Sequence, residues 1–139
     1  AWATPVVVAS ADRWALPDTP TLTVSPRGAH ETVLVAWTAY AEGRSSVFLA
    51  RSEDAGRTWS APQRVDDTTA GLPDARDVVA HPSLAANARG QLTLTWFDLQ
   101  RKCWRARTGR VAGAWDGPSR PLTPCGAPNP PDQGDYGTQ

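Results

Sequence analysis

Residues 52–59, Ser-Glu-Asp-Ala-Gly-Arg-Thr-Trp, constrain the fold more than any other stretch of this 139-residue chain. They follow a short apolar run of strand length, Val47-Phe48-Leu49-Ala50, and they contain the residues of a tight turn. Gly56 can adopt a positive φ because it has no Cβ. The carboxylate of Asp54 can accept hydrogen bonds from backbone N–H groups of the turn, and Trp59 supplies a large ring to cover it. The octet therefore predicts a β-hairpin corner.

The octet fits the pattern S-x-D-x-G-x-T-W at each defined position: Ser52, Asp54, Gly56, Thr58 and Trp59. This pattern resembles the Asp-box, also called the bacterial neuraminidase repeat, of sialidase-like β-propellers. The resemblance implies a fold more than a reaction, because the carboxylate of such a turn fixes the loop. We favour this structural role for Asp54 over the alternative of a catalytic acid.

An internal repeat supports the same fold. The context W-x-x-P occurs at Trp2, Trp59 and Trp115, which are 57 and 56 residues apart, and Leu34-Val35-Ala36-Trp37 aligns with Thr93-Leu94-Thr95-Trp96. Each repeat has four strand signals, near 20–25, 32–40, 46–52 and 58–65 in the first and near 82–86, 91–98, 103–108 and 115–122 in the second. Four strands per repeat are typical of a propeller blade. We predict an all-β fold: a partial β-propeller of about two four-stranded antiparallel blades plus flanking strands of neighbouring blades.

The predicted boundaries place both ends of the chain inside blades. Residues 1–10 are expected to be the last strand of a preceding blade, and 125–139 the start of a following blade or a tail. Residues 11–67 form a blade with the complete Asp-box, and 68–124 form a blade with a degenerate box. Because two blades leave faces and edges open, we expect either a segment of a larger propeller or self-association into a closed ring.

The degenerate box runs from Thr108 to Trp115. It keeps a hydroxyl at Thr108 and the ring of Trp115, but it has Arg110 in the place of Asp54 and Ala112 in the place of Gly56. Its turn must therefore be held in another way.

Composition and charge exclude several classes of function. Lys plus Arg and Asp plus Glu are equal at 14 each, so the chain lacks the basic surplus of a nucleic-acid-binding protein. No apolar run approaches the ~20 residues of a membrane-spanning helix, so no membrane insertion is expected.

Cys103 and Cys125 have no metal-type spacing, which leaves a disulfide or two buried thiols open. The implied family is often secreted, which favours the disulfide and a secreted or cell-surface location.

Strand order in a blade places the loops opposite the box turn on one surface, where the resemblance implies a ligand. We expect a glycan as the ligand. The candidate ligand-face residues in these loops are Asp12, Arg13, Trp14, Tyr40, Arg44, Asp74, Arg76, Asp77, Asp98, Arg101, Asp132, Asp135 and Tyr136. Trp14, Tyr40 and Trp104 can stack on sugar rings. No cofactor is expected; the acidic stretch 74–77 can bind calcium or a sugar, but a solvated loop explains it more simply.

The catalytic machinery of a sialidase is not identifiable. Such an enzyme needs three arginines converging on a carboxylate, a Tyr nucleophile with a Glu partner, and an acid/base Asp. Tyr40 and Tyr136 are the only tyrosines, Glu53 sits inside the box, and no Arg has the Arg-Ile-Pro context of the family. We therefore predict no catalytic residue. The leading hypothesis is a segment of a secreted Asp-box propeller that acts as scaffold or glycan-binding surface; the alternatives are a fragment of an active exo-sialidase and a structural repeat in a surface assembly.

Overall fold

The structure is a computed structural model that describes residues 3–10, 15–27, 30–41, 44–67 and 79–126. Every helix or strand assigned within these residues is a strand. The first four strands are β1 (Ala15–Arg27), β2 (His30–Ala41), β3 (Arg44–Ser52) and β4 (Gln63–Arg64). The next four are β5 (Val79–Ala86), β6 (Gln91–Asp98), β7 (Cys103–Arg110) and β8 (Arg120–Pro121).

The strands form two antiparallel sheets, each with its strands in sequence order: β1 to β4 in the first sheet and β5 to β8 in the second. This confirms the prediction of an all-β chain with two four-stranded antiparallel units, and neither sheet closes on itself. The fourth strands are only two residues long, shorter than the predicted 58–65 and 115–122. Each is preceded by the proline of a W-x-x-P segment, which lacks the N–H that a sheet ladder needs.

The pairing registers show which residues of the two sheets are counterparts. Val65 donates its N–H to the carbonyl of Val47 (2.9 Å), and Leu122 donates its N–H to the carbonyl of Trp104 (2.7 Å). The β2–β3 pair Trp37↔Phe48 likewise corresponds to the β6–β7 pair Trp96↔Arg105. The two sheets are therefore two copies of one unit at the level of individual hydrogen bonds.

Each sheet has two faces, which we call front and back. In the first sheet the front face carries Trp37 and Phe48, and the back face carries Leu34 and Leu49. The back face of the first sheet packs on the front face of the second, which carries Leu94, Trp96 and Trp115. The shared core consists of Leu34, Ala36, Val47, Leu49, Val65, Val79, Leu84, Leu92, Leu94, Trp96 and Val111, with Ala86 and Trp115 packed against it.

This packing is head to tail, because different faces of the two counterpart sheets meet. A two-fold sandwich would bring equivalent faces together. Corresponding strands of the two sheets also run in the same direction. Ser25, near the end of β1, donates its hydroxyl to the carbonyl of Asn87, which follows the end of β5 (3.1 Å). Ser45, at the start of β3, exchanges hydrogen bonds with the backbone of Val79, at the start of β5. The second sheet therefore repeats the first in the same orientation.

The segment 3–10 lies on the front face of the first sheet. Val8 and Ala9 pack there against a second core cluster formed by Trp37, Ala39, Phe48 and Ala50, with Val35 and Trp59. No described residue of this segment belongs to a strand. Among the described residues, no helix is long and apolar enough to cross a membrane.

Candidate functional site

The turn formed by the octet 52–59 is held by a closed network of side-chain hydrogen bonds. The Ser52 hydroxyl donates to Oδ1 of Asp54 (2.8 Å) and accepts the backbone N–H of Gly56 (2.8 Å). The carboxylate of Asp54 accepts the N–H of Thr58 at Oδ1 (2.8 Å) and the hydroxyl of Thr58 at Oδ2 (2.6 Å). Every oxygen that the octet pattern prescribes is thus used within the turn.

The network also sets the charge state of Asp54. The hydroxyl and N–H of Thr58, followed by the hydroxyl of Ser52, lower the pKa of Asp54 from 3.8 to about 2. A general acid at neutral pH needs a raised pKa, since it must hold a proton to give. The lowered pKa supports a structural role for this carboxylate.

The backbone explains the glycine and the tryptophan of the octet. Gly56 has φ of 86°, and the preceding Ala55 has φ of 59°, so two successive residues occupy the left-handed region. The indole N–H of Trp59 donates to the carbonyl of Gly56 (3.1 Å). The ring of Trp59 lies within 3.8 Å of the position that a Cβ on Gly56 would occupy. The turn and the ring over it are therefore one unit.

The second turn has a different register from the one that the sequence alignment suggested. Leu34 and Thr93 are counterparts in the two repeats. Leu34 pairs with Arg51 and Thr93 pairs with Thr108, so Thr108 is the counterpart of Arg51 and not of Ser52. The counterpart of Ser52 is Gly109. One residue fewer lies between Gly109 and Trp115 than between Ser52 and Trp59. Thr108 is exposed, and its hydroxyl does not replace that of the buried Ser52.

Backbone hydrogen bonds hold this shorter turn. Arg110 donates its N–H to the carbonyl of Ala114 (2.7 Å), and Gly113 donates its N–H to the carbonyl of Arg110 (2.9 Å). The ring of Trp115 packs directly on Gly109, where an added Cβ would lie 2.8 Å from its Cε3 atom. A glycine at 109 thus makes room for the Trp115 ring.

At the opposite end of the stack, the turn between β6 and β7 contains two candidate ligand-face residues. The buried carboxylate of Asp98 accepts the backbone N–H groups of Gln100 (3.1 Å) and Arg101 (2.9 Å). Its Oδ2 also binds Nη1 of Arg101 at 2.9 Å, while the Arg101 side chain remains 44% exposed. Asp98 is therefore committed to the turn, and Arg101 keeps surface available to a ligand.

The other candidates are only partly described. Tyr40 and Arg44 are half-buried and flank the turn between β2 and β3, at the same end of the stack as Asp98. The candidates that lie outside the described residues are Asp12, Arg13, Trp14, Asp74, Arg76, Asp77, Asp132, Asp135 and Tyr136. Their role as a ligand face stays a prediction.

Trp104 is an exposed aromatic residue near the same end. Its side chain is 37% exposed, and its ring meets the ring of Phe97 edge-on with centroids 5.5 Å apart. Trp104 follows Cys103 directly, and a disulfide joins Cys103 to Cys125 with Cα atoms 4.7 Å apart. Gly126 donates its N–H to the carbonyl of Arg101 (2.7 Å), so the chain after β8 is fastened to the β6–β7 turn.

Sequence reasoning missed the polar links between the sheets. The carboxylate of Asp67 accepts the N–H (2.6 Å) and the hydroxyl (2.5 Å) of Ser119. Burial alone would raise the pKa of Asp67, but the two hydrogen bonds from Ser119 and the nearby charge of Arg107 outweigh it and lower the pKa. Arg107 also donates to the carbonyl of Val65 (2.9 Å) and lies 5.0 Å from the centroid of the Trp115 ring.

Within the described ranges, no group of three or more His, Cys, Asp or Glu side chains is arranged to hold a metal ion. The stretch 74–77, the predicted site for calcium or a sugar, lies outside those ranges.

No family model, no curated protein and no solved structure matches the chain.

Proposed function

We propose that this chain is a segment of a secreted Asp-box propeller of the sialidase-like type, acting as a scaffold that presents a glycan-binding surface. The observation that carries the proposal is the octet turn: Ser52, Asp54 and Thr58 satisfy one another within a turn at one end of a head-to-tail stack. The proposed partners are a glycan and the remaining sheets of the propeller, or further copies of the chain. The Cys103–Cys125 disulfide supports export, because such bonds persist in oxidising compartments.

A binding role is favoured over catalysis by where the acids lie. Among the described residues, Glu31 and Glu53 stand at the box end, away from the β6–β7 turn, and Asp98 is enclosed by its own turn. Glu42, which follows β2 in the sequence, lies outside the described residues. Near that turn, both Arg101 and Trp104 keep exposed side-chain surface. A guanidinium and an exposed indole ring can bind a sugar through hydrogen bonds and stacking without reacting with it.

Glycan binding is tested with defined trisaccharides, 3′-sialyllactose and a neutral counterpart such as maltotriose, by titration calorimetry. Trp104→Ala and Arg101→Ala are expected to weaken binding, and Arg57→Ala at the box end is the matched control. Equal weakening by Arg57→Ala would contradict the assignment of the ligand to the end opposite the box. Hydrolysis of a fluorogenic sialoside by the wild-type chain would favour the alternative of an active glycoside hydrolase.

A further inference from the structure

The back faces of the two sheets carry different residues at counterpart positions. Leu34 and Ala36 of the first sheet are fully buried in the shared core. Their counterparts in the second sheet are Thr93 and Thr95, of which the first is exposed and the second half-buried. The back face of the second sheet therefore presents hydroxyl groups where that of the first sheet presents the apolar side chains of the core.

These hydroxyls make the face a poor partner for an apolar surface. Thr93 pairs directly with Thr108, and both side chains are exposed. Covering a hydroxyl with an apolar surface costs free energy unless the hydroxyl gains a hydrogen bond. A ligand that brings hydroxyl groups of its own supplies such bonds, so the chemistry of this face favours a polar occupant.

Two adjoining cavities lie along this face towards the box end. Their volumes are about 350 and 320 Å³, and both have Thr108 and Asp116 in their walls. The polar side chains that line them are Asn87, Gln91, Thr93, Thr108, Asp116 and Arg120. One acid and one base balance each other, and the other four groups are neutral amides and hydroxyls. This lining complements an uncharged ligand that has many hydroxyl groups.

The same face carries an exposed aromatic ring towards the opposite end. Leu122 lines the second cavity and donates its N–H to the carbonyl of Trp104. The ring of Trp104 is held edge-on against the ring of Phe97, its partner in β6. Trp104 and Thr108 face the same side of β7, four residues or roughly 13 Å apart along the strand. The face is thus an elongated strip with an aromatic ring at one end and hydrogen-bonding groups at the other.

We propose that the back face of the second sheet binds an extended, uncharged polysaccharide chain of the β-1,4-linked glucan type, laid along β7. One sugar ring stacks on Trp104, and later units form hydrogen bonds with Thr93, Thr108 and Asp116. An extended chain can follow the strip, whereas an α-1,4-linked chain coils away from it. This inference rests on the proposed glycan-binding function, with which it shares Trp104, and it specifies a ligand bound along its length.

Titration calorimetry with cellohexaose, cellobiose and maltohexaose tests the proposal. The wild-type chain is expected to bind cellohexaose more tightly than the other two. Replacing Thr93 and Thr108 together by Val removes both hydroxyls and keeps the side-chain shape. It should weaken cellohexaose binding roughly tenfold and leave cellobiose binding unchanged. Thr23→Val, on the covered back face of the first sheet, is the matched control. Equal affinity for cellohexaose and cellobiose, or an unaffected double variant, overturns the proposal.

Thiol labelling shows whether the glycan lies on this face. Ala85, which pairs with Thr93 and lines the first cavity, is exposed and has no hydroxyl to lose. Saturating cellohexaose should therefore slow the labelling of Ala85→Cys and leave that of Glu53→Cys, in the octet turn, unchanged. Unchanged labelling of Ala85→Cys overturns the proposal. Protection of Ala85→Cys without any glycan also overturns it, because a protein surface then covers the face.

The outcomes separate this inference from the proposed function. Binding of 3′-sialyllactose that depends on Arg101, without cellohexaose binding, contradicts only this inference. Binding of cellohexaose that depends on Thr93 and Thr108 but not on Arg101 contradicts only the assignment of the ligand to the end opposite the box. Absence of binding to every one of these saccharides contradicts both.

Discussion

The carboxylate of Asp54 accepts two hydrogen bonds from Thr58, one from its backbone N–H at 2.8 Å and one from its hydroxyl at 2.6 Å. Asp54→Ala removes both acceptors and the bond from Ser52, so we expect a lower melting temperature and an unchanged glycan affinity. Thermal unfolding and titration calorimetry measure the two quantities. Glu53→Ala, at an exposed position in the same turn, is the control. Unchanged melting with lost binding would assign Asp54 a functional role.

The stabilisation from Asp54 depends on pH in a predictable direction. The pKa of Asp54 is about 2 in the folded chain, against its ordinary value of 3.8. A carboxyl whose pKa is depressed by folding contributes stability above its unfolded pKa and loses it as pH falls through the folded pKa. The difference in urea midpoint between the wild type and Asp54→Ala should therefore be constant above about pH 4 and shrink towards pH 2. A difference that stays constant over this window would contradict the prediction.

Gly109 is predicted to tolerate no side chain. An added Cβ would lie 2.5 Å from the carbonyl oxygen of Ala114 and 2.8 Å from the Trp115 ring. Gly109→Ala should therefore lower the free energy of unfolding by roughly 1–3 kcal/mol, the usual cost of overpacking, and should change the tryptophan fluorescence. Gly126→Ala is the contrasting variant, because its Cβ meets open space and only its φ of 74° is strained. An equal fluorescence change in both variants would refute the steric explanation.

Loss of the Cys103–Cys125 disulfide should destabilise the second sheet. The bond joins residues 22 apart in sequence, and closing a loop of that size contributes roughly 3 kcal/mol in the chain-entropy account. Cys125→Ser and chemical reduction of the wild type should lower the urea midpoint to similar values. A thiol assay on unreduced, denatured protein should find no free thiol at these positions; two free thiols would contradict the bond.

Asp67 and Ser119 should be energetically coupled across the two sheets. The Asp67 carboxylate accepts both the N–H and the hydroxyl of Ser119, but it is only partly buried, so we expect a coupling of about 1 kcal/mol. A double-mutant cycle of Asp67→Ala and Ser119→Ala in urea measures it. Asp116→Ala, an exposed acid on the same connection, should show no coupling to Ser119→Ala.

The strand order and the box turn could be predicted from sequence because their signals are local. Alternating apolar residues locate β2 and β6, and the octet locates the turn after β3. The register of the second turn could not be predicted, because the tryptophan spacing suggested Thr108 as the counterpart of Ser52 and only strand pairing shows Gly109 in that place. When the flanking sequence pattern is degenerate, the sequence alone does not show that a turn is one residue shorter.

The candidate site was less accessible to sequence reasoning. The sequence names Asp98 and Arg101 as candidate ligand-face residues, but it does not predict the ion pair between them, which depends on the turn geometry. Asp67 and Ser119 are 52 residues apart in sequence and meet only after the sheets stack. One polar link does follow the repeat: Asp66 accepts the backbone N–H of Val47 in β3, and Thr123 accepts that of Trp104 in β7. Val47 and Trp104 are counterparts, and Asp66 and Thr123 are separated by about one repeat length.

The order of strands within each sheet also bears on how the chain folds. Each strand pairs only with its neighbours in sequence, so a sheet can assemble hairpin by hairpin through contacts that close short loops. Contacts between the sheets join residues much further apart, such as Ser25 and Asn87, 62 residues away. Closing those longer loops costs more chain entropy before any contact forms. Each sheet is thus expected to form early, and stacking, with the burial of Trp96, is expected to be the slow and final step.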